Sequence, residues 1–139
     1  FNARMGDPET QVVLPLLKTD LIDVVEAVVE HRLDQLRVEW YDDHAVCVVL
    51  TSGGYPGTYQ NGYPISGLDA HEPATAIVFH AGTVKKNGKI VTAGGRVLGI
   101  TGRGNTLTEA RAQAYQTVKS ISFDGCHYRK DIASRALNR

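Results

Sequence analysis

The sequence is poor in several things at once, and each shortage removes a class of function. It has two cysteines, Cys47 and Cys126, far apart and in no CxxC pair. A disulfide framework or zinc knuckle is not expected, and each cysteine reads as a reduced, partly buried thiol of a cytosolic protein. Neither charge is in excess: 15 basic residues balance 15 acidic ones, so nothing marks a nucleic-acid or anionic-membrane partner. No apolar run approaches the ~20 residues of a bilayer span. The opening FNARMGDPETQ lacks a basic stretch followed by an apolar one, so it is not expected to be a signal peptide. His31, His44, His71 and His127 have no ligand spacing such as HxxxH, and no metal is assigned to them.

What is present fits one globular chain. Its 139 residues fall within the ~100–200 of a typical domain, and a chain of this size buries roughly 68% of its unfolded surface. The glycines cluster in 53–67, in 82–104 and at 125, which points to tight turns and close backbone approaches rather than a linker.

The opening reads as a strand end, Phe1–Arg4, then a bend at Met5-Gly6. A helix capped by Asp7 with Pro8 in its first position is expected next, and Pro15 should break or kink it. A second helix starts at Thr19-Asp20. Its apolar residues at 21, 24, 25, 28 and 29 predict one buried face. Residues 34–43 lose this pattern, so a domain boundary is placed between 42 and 43.

Ala45–Leu50 is a buried strand. SGGYPGTYQNGYPISG is read as a packed loop with a short strand near Ile65, its tyrosines 55, 59 and 63 serving packing rather than base stacking. Ile77–Val84 is a strand, Asn87-Gly88 the turn of a tight hairpin, Ile90–Thr92 the return and Arg96–Thr101 another strand. Thr106 and Glu109 match a capping box, followed by a helix with Leu107, Ala110, Ala114, Val118 and Ile121 on one face. A turn at 122–125 leads to a short terminal helix ending near Leu137. The order of elements and the hairpin argue an α+β fold, with helices on one face of an antiparallel sheet.

Asn2 and Arg4 share a face if they lie on a strand. The Asn2 carbonyl is a hard oxygen ligand suited to Mg²⁺, and the Arg4 fork suits phosphate or carboxylate. Gly6 lets the backbone approach a ligand, and the helix start at Asp7-Pro8 would offer N–H groups to an anion. Read alone, the same residues make an ordinary strand end and helix cap. His80 and Arg96 each flank glycines at a strand end, and two readings stay open: contact with a phosphate, or structural roles in the sheet. Tyr128–Asp131 reads as a solvated face, and Lys85, Lys86 and Lys89 as solvating a hairpin tip.

FNARMGDPETQ resembles the signature of the phosphoribosylamine–glycine ligase (glycinamide ribonucleotide synthetase) family of the ATP-grasp superfamily. QVVLPLL, SGGYPG, FHAGT, GGRVLG and YRKDI follow in the order of that family's C-terminal stretches, so the resemblance covers the whole chain. It implies a C-terminal third: the end of an ATP-grasp domain (1–42), then a small α+β domain (43–139). The N-terminal domain and most of the ATP-grasp domain would be partners from the same polypeptide.

The implied activity is cytoplasmic and belongs to purine biosynthesis: ATP phosphorylates glycine, and phosphoribosylamine takes the glycyl group. By resemblance Asn2 is a ligand for Mg²⁺ or Mn²⁺, and Arg4 and Gly6 serve the catalytic centre. Asp7, Pro8, His80 and Arg96 bind substrate. The family's metal-ligating Glu, two positions before Asn2, falls ahead of Phe1, so this piece alone is expected to be inactive. Met5 stands where the family has Phe, a tolerable apolar exchange. The alternatives are another ATP-grasp carboxylate–amine ligase, or a non-catalytic binding module of the same fold.

Overall fold

The computed structural model describes residues 3–69 and 76–137. Three antiparallel strands form the main sheet in the order β1 (His44–Thr51), β5 (Arg96–Gly104), β2 (Ala76–His80). Helix α3 (Leu107–Ser120) covers one face. Alternation sorts β1: Val46, Val48 and Leu50 enter the core with Val97, Leu98 and Ile100, against Ala110, Ala114 and Val118. Full burial of each such side chain contributes about 1.5–3 kcal/mol. Helix α3 starts at its predicted N-cap, the Thr106 hydroxyl oxygen accepting from the Glu109 N–H at 3.1 Å. It lies so close to β5 that a Cβ on Gly102 would sit 2.3 Å from the Ala110 carbonyl oxygen.

The segment around Ile77–Val84 is two strands rather than one. Ala81 and Gly82 still donate to the Val97 and Arg96 carbonyls of β5, but the Thr83 N–H turns back to the Ala81 carbonyl at 3.0 Å. That three-residue turn sends β3 (Thr83–Lys86) into a separate two-stranded sheet with β4 (Lys89–Thr92). Asn87 and Gly88 form the hairpin with φ of 50° and 78°, and the three lysines of its tip are exposed. The 52–67 loop is packed as expected: Tyr63 and Ile65 lean on the core, and Ser66 bridges to Ser122.

The opening differs more. Ala3 and Arg4 form a bend, not a strand, because neither sheet offers them a partner. Helix α1 (Thr10–Val13) begins two residues later than Pro8. Asp7 does not cap it; its carboxylate accepts from Gln11 Nε2 at 2.9 Å, while the Thr10 N–H is taken by the Gly6 carbonyl. A four-residue helix whose first N–H is already engaged offers no anion site, so that expectation fails. Pro15 sits in a 3-10 turn, Leu14–Leu16, that continues α1 rather than breaking it. Residues 7–14 lie across the sheet face opposite α3, where the Thr101 hydroxyl donates to the Gln11 carbonyl at 2.8 Å.

Helix α2 (Leu21–Val29) is capped by Asp20, which accepts from the Ile22 N–H at 2.8 Å. Its predicted buried face is not buried. Only Ala27 is enclosed, while Val25, Val28 and Val29 are 53%, 52% and 71% exposed. The periodicity is that of a packed helix, but no described element covers it.

Candidate functional site

Residues 7–14 divide their sheet face into two hollows. On the β2 side, a cleft of about 370 Å³ is lined by Arg4, Gly6, Asp7, Gln11, Phe79 and His80 among others. On the β1 side, a cavity of about 300 Å³ is lined by Pro8, Arg96 and residues of β1 and 127–132. The sequence candidates Arg4, Gly6, Asp7 and His80 thus share the first hollow, and Pro8 and Arg96 share the second. Asn2 lies outside the described residues.

Arg96 joins the two. Its Nη1 donates to the Asp7 carbonyl at 2.9 Å and its Nη2 stands 3.2 Å from the Asp7 carboxylate. A bulge aims it there: Leu50 pairs with Leu98, but Thr51 pairs with Arg96, skipping Val97. The extra residue rotates the strand and brings Arg96 to the face that carries Cys47 and Val49. His80 Nδ1 is 3.0 Å from the Thr83 hydroxyl, which fixes its ring at the turn between the two sheets. Arg4 is exposed, with one bond to the neighbouring Met5 carbonyl.

The cleft therefore presents a free-standing guanidinium, a carboxylate held in place from two sides, an imidazole and a buried glycine. Such a set can hold an anionic group against Arg4 and an amine against Asp7. Gln11 is a cleft residue that the sequence reading missed. Its amide oxygen is buried with no partner, one of two such side-chain atoms among the described residues. Only the i, i+4 spacing from Asp7 could have signalled it.

Arg129–Asp131 is exposed as expected, with Arg129 donating to both oxygens of Asp131, but Tyr128 is half-buried and packs against the core. Burial pushes the Cys47 thiol above its ordinary range, and Cys126 moves the same way for the same reason. Among the described residues no three His, Cys, Asp or Glu side chains gather. They do not by themselves build a metal cage. Among the described residues no helix is long and apolar enough to cross a membrane.

The family described as phosphoribosylglycinamide synthetase, C domain, matches residues 45–135. Phosphoribosylamine–glycine ligase of Caldanaerobacter subterraneus subsp. tengcongensis is 55% identical over 134 residues, 96% of this chain and 32% of its own length. The ligase of the same name from Synechocystis is 53% identical, over 99% of this chain and 33% of its own. The crystal structure of phosphoribosylamine–glycine ligase from Thermotoga maritima superposes with a TM-score of 0.71 at 37% identity, covering 94% of this chain and 32% of that one. The chain spans about a third of the length of the curated relatives it matches.

Proposed function

The chain belongs to the phosphoribosylglycinamide synthetase C-domain family, and on that footing we propose that it is the C-terminal third of an ATP-dependent ligase joining glycine to 5-phosphoribosylamine. A glycine carboxylate oxygen attacks the γ-phosphorus of ATP, ADP departs and glycyl phosphate forms. The amine nitrogen of phosphoribosylamine then attacks the acyl carbon, phosphate leaves and the nitrogen gives up a proton. The product, glycinamide ribonucleotide, belongs to purine biosynthesis, and the reaction is assigned to the cytoplasm.

The observation that carries the reading is the cleft shared by Arg4, Gly6, Asp7 and His80. Arg4 offers donors to the oxygens of the acyl phosphate, whose developing charge a guanidinium stabilises. Gly6 and the Asp7-Pro8 peptide shape the glycine end, and Arg96 holds that peptide against the sheet. His80 and Arg96 face the phosphoribosylamine side. Asn2 supplies one oxygen ligand to a Mg²⁺ or Mn²⁺ ion whose other ligands come from the rest of the enzyme. Residues 1–42 close an ATP-grasp domain and 43–139 form the C-terminal domain. The exposed apolar face of α2 is where the remaining two-thirds of the polypeptide packs, and without that part the chain does not turn over.

The test is ADP release by the full-length enzyme. It should require both glycine and phosphoribosylamine. Turnover with a different amine, in the absence of phosphoribosylamine, replaces this reading by another ATP-grasp carboxylate–amine ligase.

A further inference from the structure

Residues 127–132 form one wall of the β1-side cavity: His127, Tyr128, Arg129 and Ile132 line it together with Arg96. The stretch belongs to no helix or strand, and an irregular surface segment is ordinarily a mobile part of a fold. Here it is fixed at both ends. At 127 it is tied to the end of β1, the Thr51 N–H donating to the His127 carbonyl at 2.8 Å and the His127 N–H to the Thr51 carbonyl at 3.0 Å. At 129–132 it is gripped by two side chains of α3, Arg111 and Tyr115.

These two residues are four apart and share one side of the helix, the Arg111 guanidinium standing 4.7 Å from the Tyr115 ring centroid. Arg111 Nε donates to the Ile132 carbonyl at 2.8 Å and its Nη2 to the Lys130 carbonyl at 2.9 Å. The Tyr115 hydroxyl donates to the Arg129 carbonyl at 2.7 Å and accepts from the Ile132 N–H at 3.1 Å. Both main-chain groups of Ile132 are thus engaged, one by each side chain. The next residue, Ala133, has a φ of 63°, a left-handed conformation that a non-glycine residue keeps only where its surroundings impose it. Tyr128 and Ile132 also lean on the core, but apolar contact is non-directional and tolerates slippage along the chain. The four hydrogen bonds are directional, so they fix where the main chain of 129–132 stands and with it the shape of the cavity wall.

We propose that Arg111 and Tyr115 are positioning residues for the ligase reaction, holding the 129–132 main chain as a preformed wall on the phosphoribosylamine side, where Arg96 stands. The assignment rests on the ligase reading above, and it adds two residues that act through the backbone of the wall rather than on substrate. A wall ordered beforehand need not be ordered on binding, and that saving appears in substrate affinity. Loosening it should weaken binding of one substrate and leave the chemical step alone.

The test uses the full-length enzyme with Tyr115→Phe, which keeps the ring and removes the hydroxyl, and Arg111→Lys, which keeps the charge and loses the fork. Each should raise KM for phosphoribosylamine roughly fivefold, the equivalent of about one net hydrogen bond, with kcat and the KM values for glycine and ATP unchanged. In both variants, hydrogen exchange read by mass spectrometry should quicken in the peptide carrying 129–132. Ile121→Val, which trims the core at the far end of the same helix, should lower Tm and leave KM for phosphoribosylamine as in wild type. Faster exchange with that KM unchanged makes the clamp purely structural and overturns the proposal. Unchanged exchange in both variants, an equal rise in KM for all three substrates, or the same rise in Ile121→Val overturns it too. If ADP release does not need phosphoribosylamine, yet both variants raise KM for the amine used in its place and for that substrate alone, the clamp stands and the ligase reading falls.

Discussion

Arg96 grips Asp7 across 89 positions of sequence, with Nη1 on its carbonyl at 2.9 Å and Nη2 3.2 Å from its carboxylate. The contact lies between the cleft and the neighbouring cavity. Arg96→Ala should release the 7–14 segment from the sheet and cost about 1 kcal/mol, the low end for a charge-assisted bond because the pair is part-exposed. Activity of the full-length enzyme should fall by more than stability explains. Arg96→Lys keeps the charge but not the fork, and should recover stability better than activity. Equal recovery of both would remove the positioning role.

Gly102 is where α3 meets β5. A methyl there would lie 2.3 Å from the Ala110 carbonyl oxygen and 2.4 Å from the Ala114 nitrogen, both main-chain atoms. Gly102→Ala should therefore lift the helix off the sheet and lower the urea midpoint by an equivalent of ~3 kcal/mol. A change under ~0.5 kcal/mol would show that the two elements slide apart freely.

The exposed apolar face of α2 is the proposed contact with the rest of the enzyme. Val25→Glu with Val28→Glu should leave the isolated 139-residue chain within about 0.5 kcal/mol of its original stability, since both side chains are exposed there. In the full-length enzyme the same pair should lower Tm and abolish turnover. If the pair destabilises the isolated chain as much, α2 packs internally and the proposed contact is wrong.

Cys47 lines the cavity on the β1 side but is itself buried. Burial raises its pKa by disfavouring the thiolate. A raised folded-state pKa gives a stability contribution present below the unfolded thiol pKa and lost as pH rises through the folded value. The folded protein should therefore lose stability at alkaline pH, and a Cys47→Ser variant should lose less. Below that window Cys47 should alkylate with iodoacetamide far more slowly than a free thiol, measured in a Cys126→Ser background. Reaction at the free-thiol rate would contradict the burial.

Asn2 is tested by metal dependence. Asn2→Ala in the full-length enzyme should raise the Mg²⁺ concentration needed for half-maximal turnover roughly tenfold, within the range known for lost ligand-sphere contacts. Unchanged activity at limiting Mg²⁺ would remove the metal role.

Much of this molecule is written locally. The Ala45–Leu50 strand, the Asn87-Gly88 hairpin and the Thr106 cap are each decided by residues within one turn or one strand of each other, and they form, the strand one residue longer at each end than read. The opening motif places its polar groups close together in sequence, which is why Arg4, Gly6 and Asp7 read as a group, and they line one cleft. What the sequence could not determine depends on which distant backbone runs alongside. A one-residue bulge opposite Thr51 turns Arg96 toward Asp7, and a bulge follows from sheet register rather than from the spelling of either strand. The three-residue turn at Ala81–Thr83 splits one apolar run into two sheets. The hydrophobic face of α2 is plain in its periodicity, but periodicity states only that a face wants cover; whether anything covers it is decided by the rest of the structure, and here nothing described does.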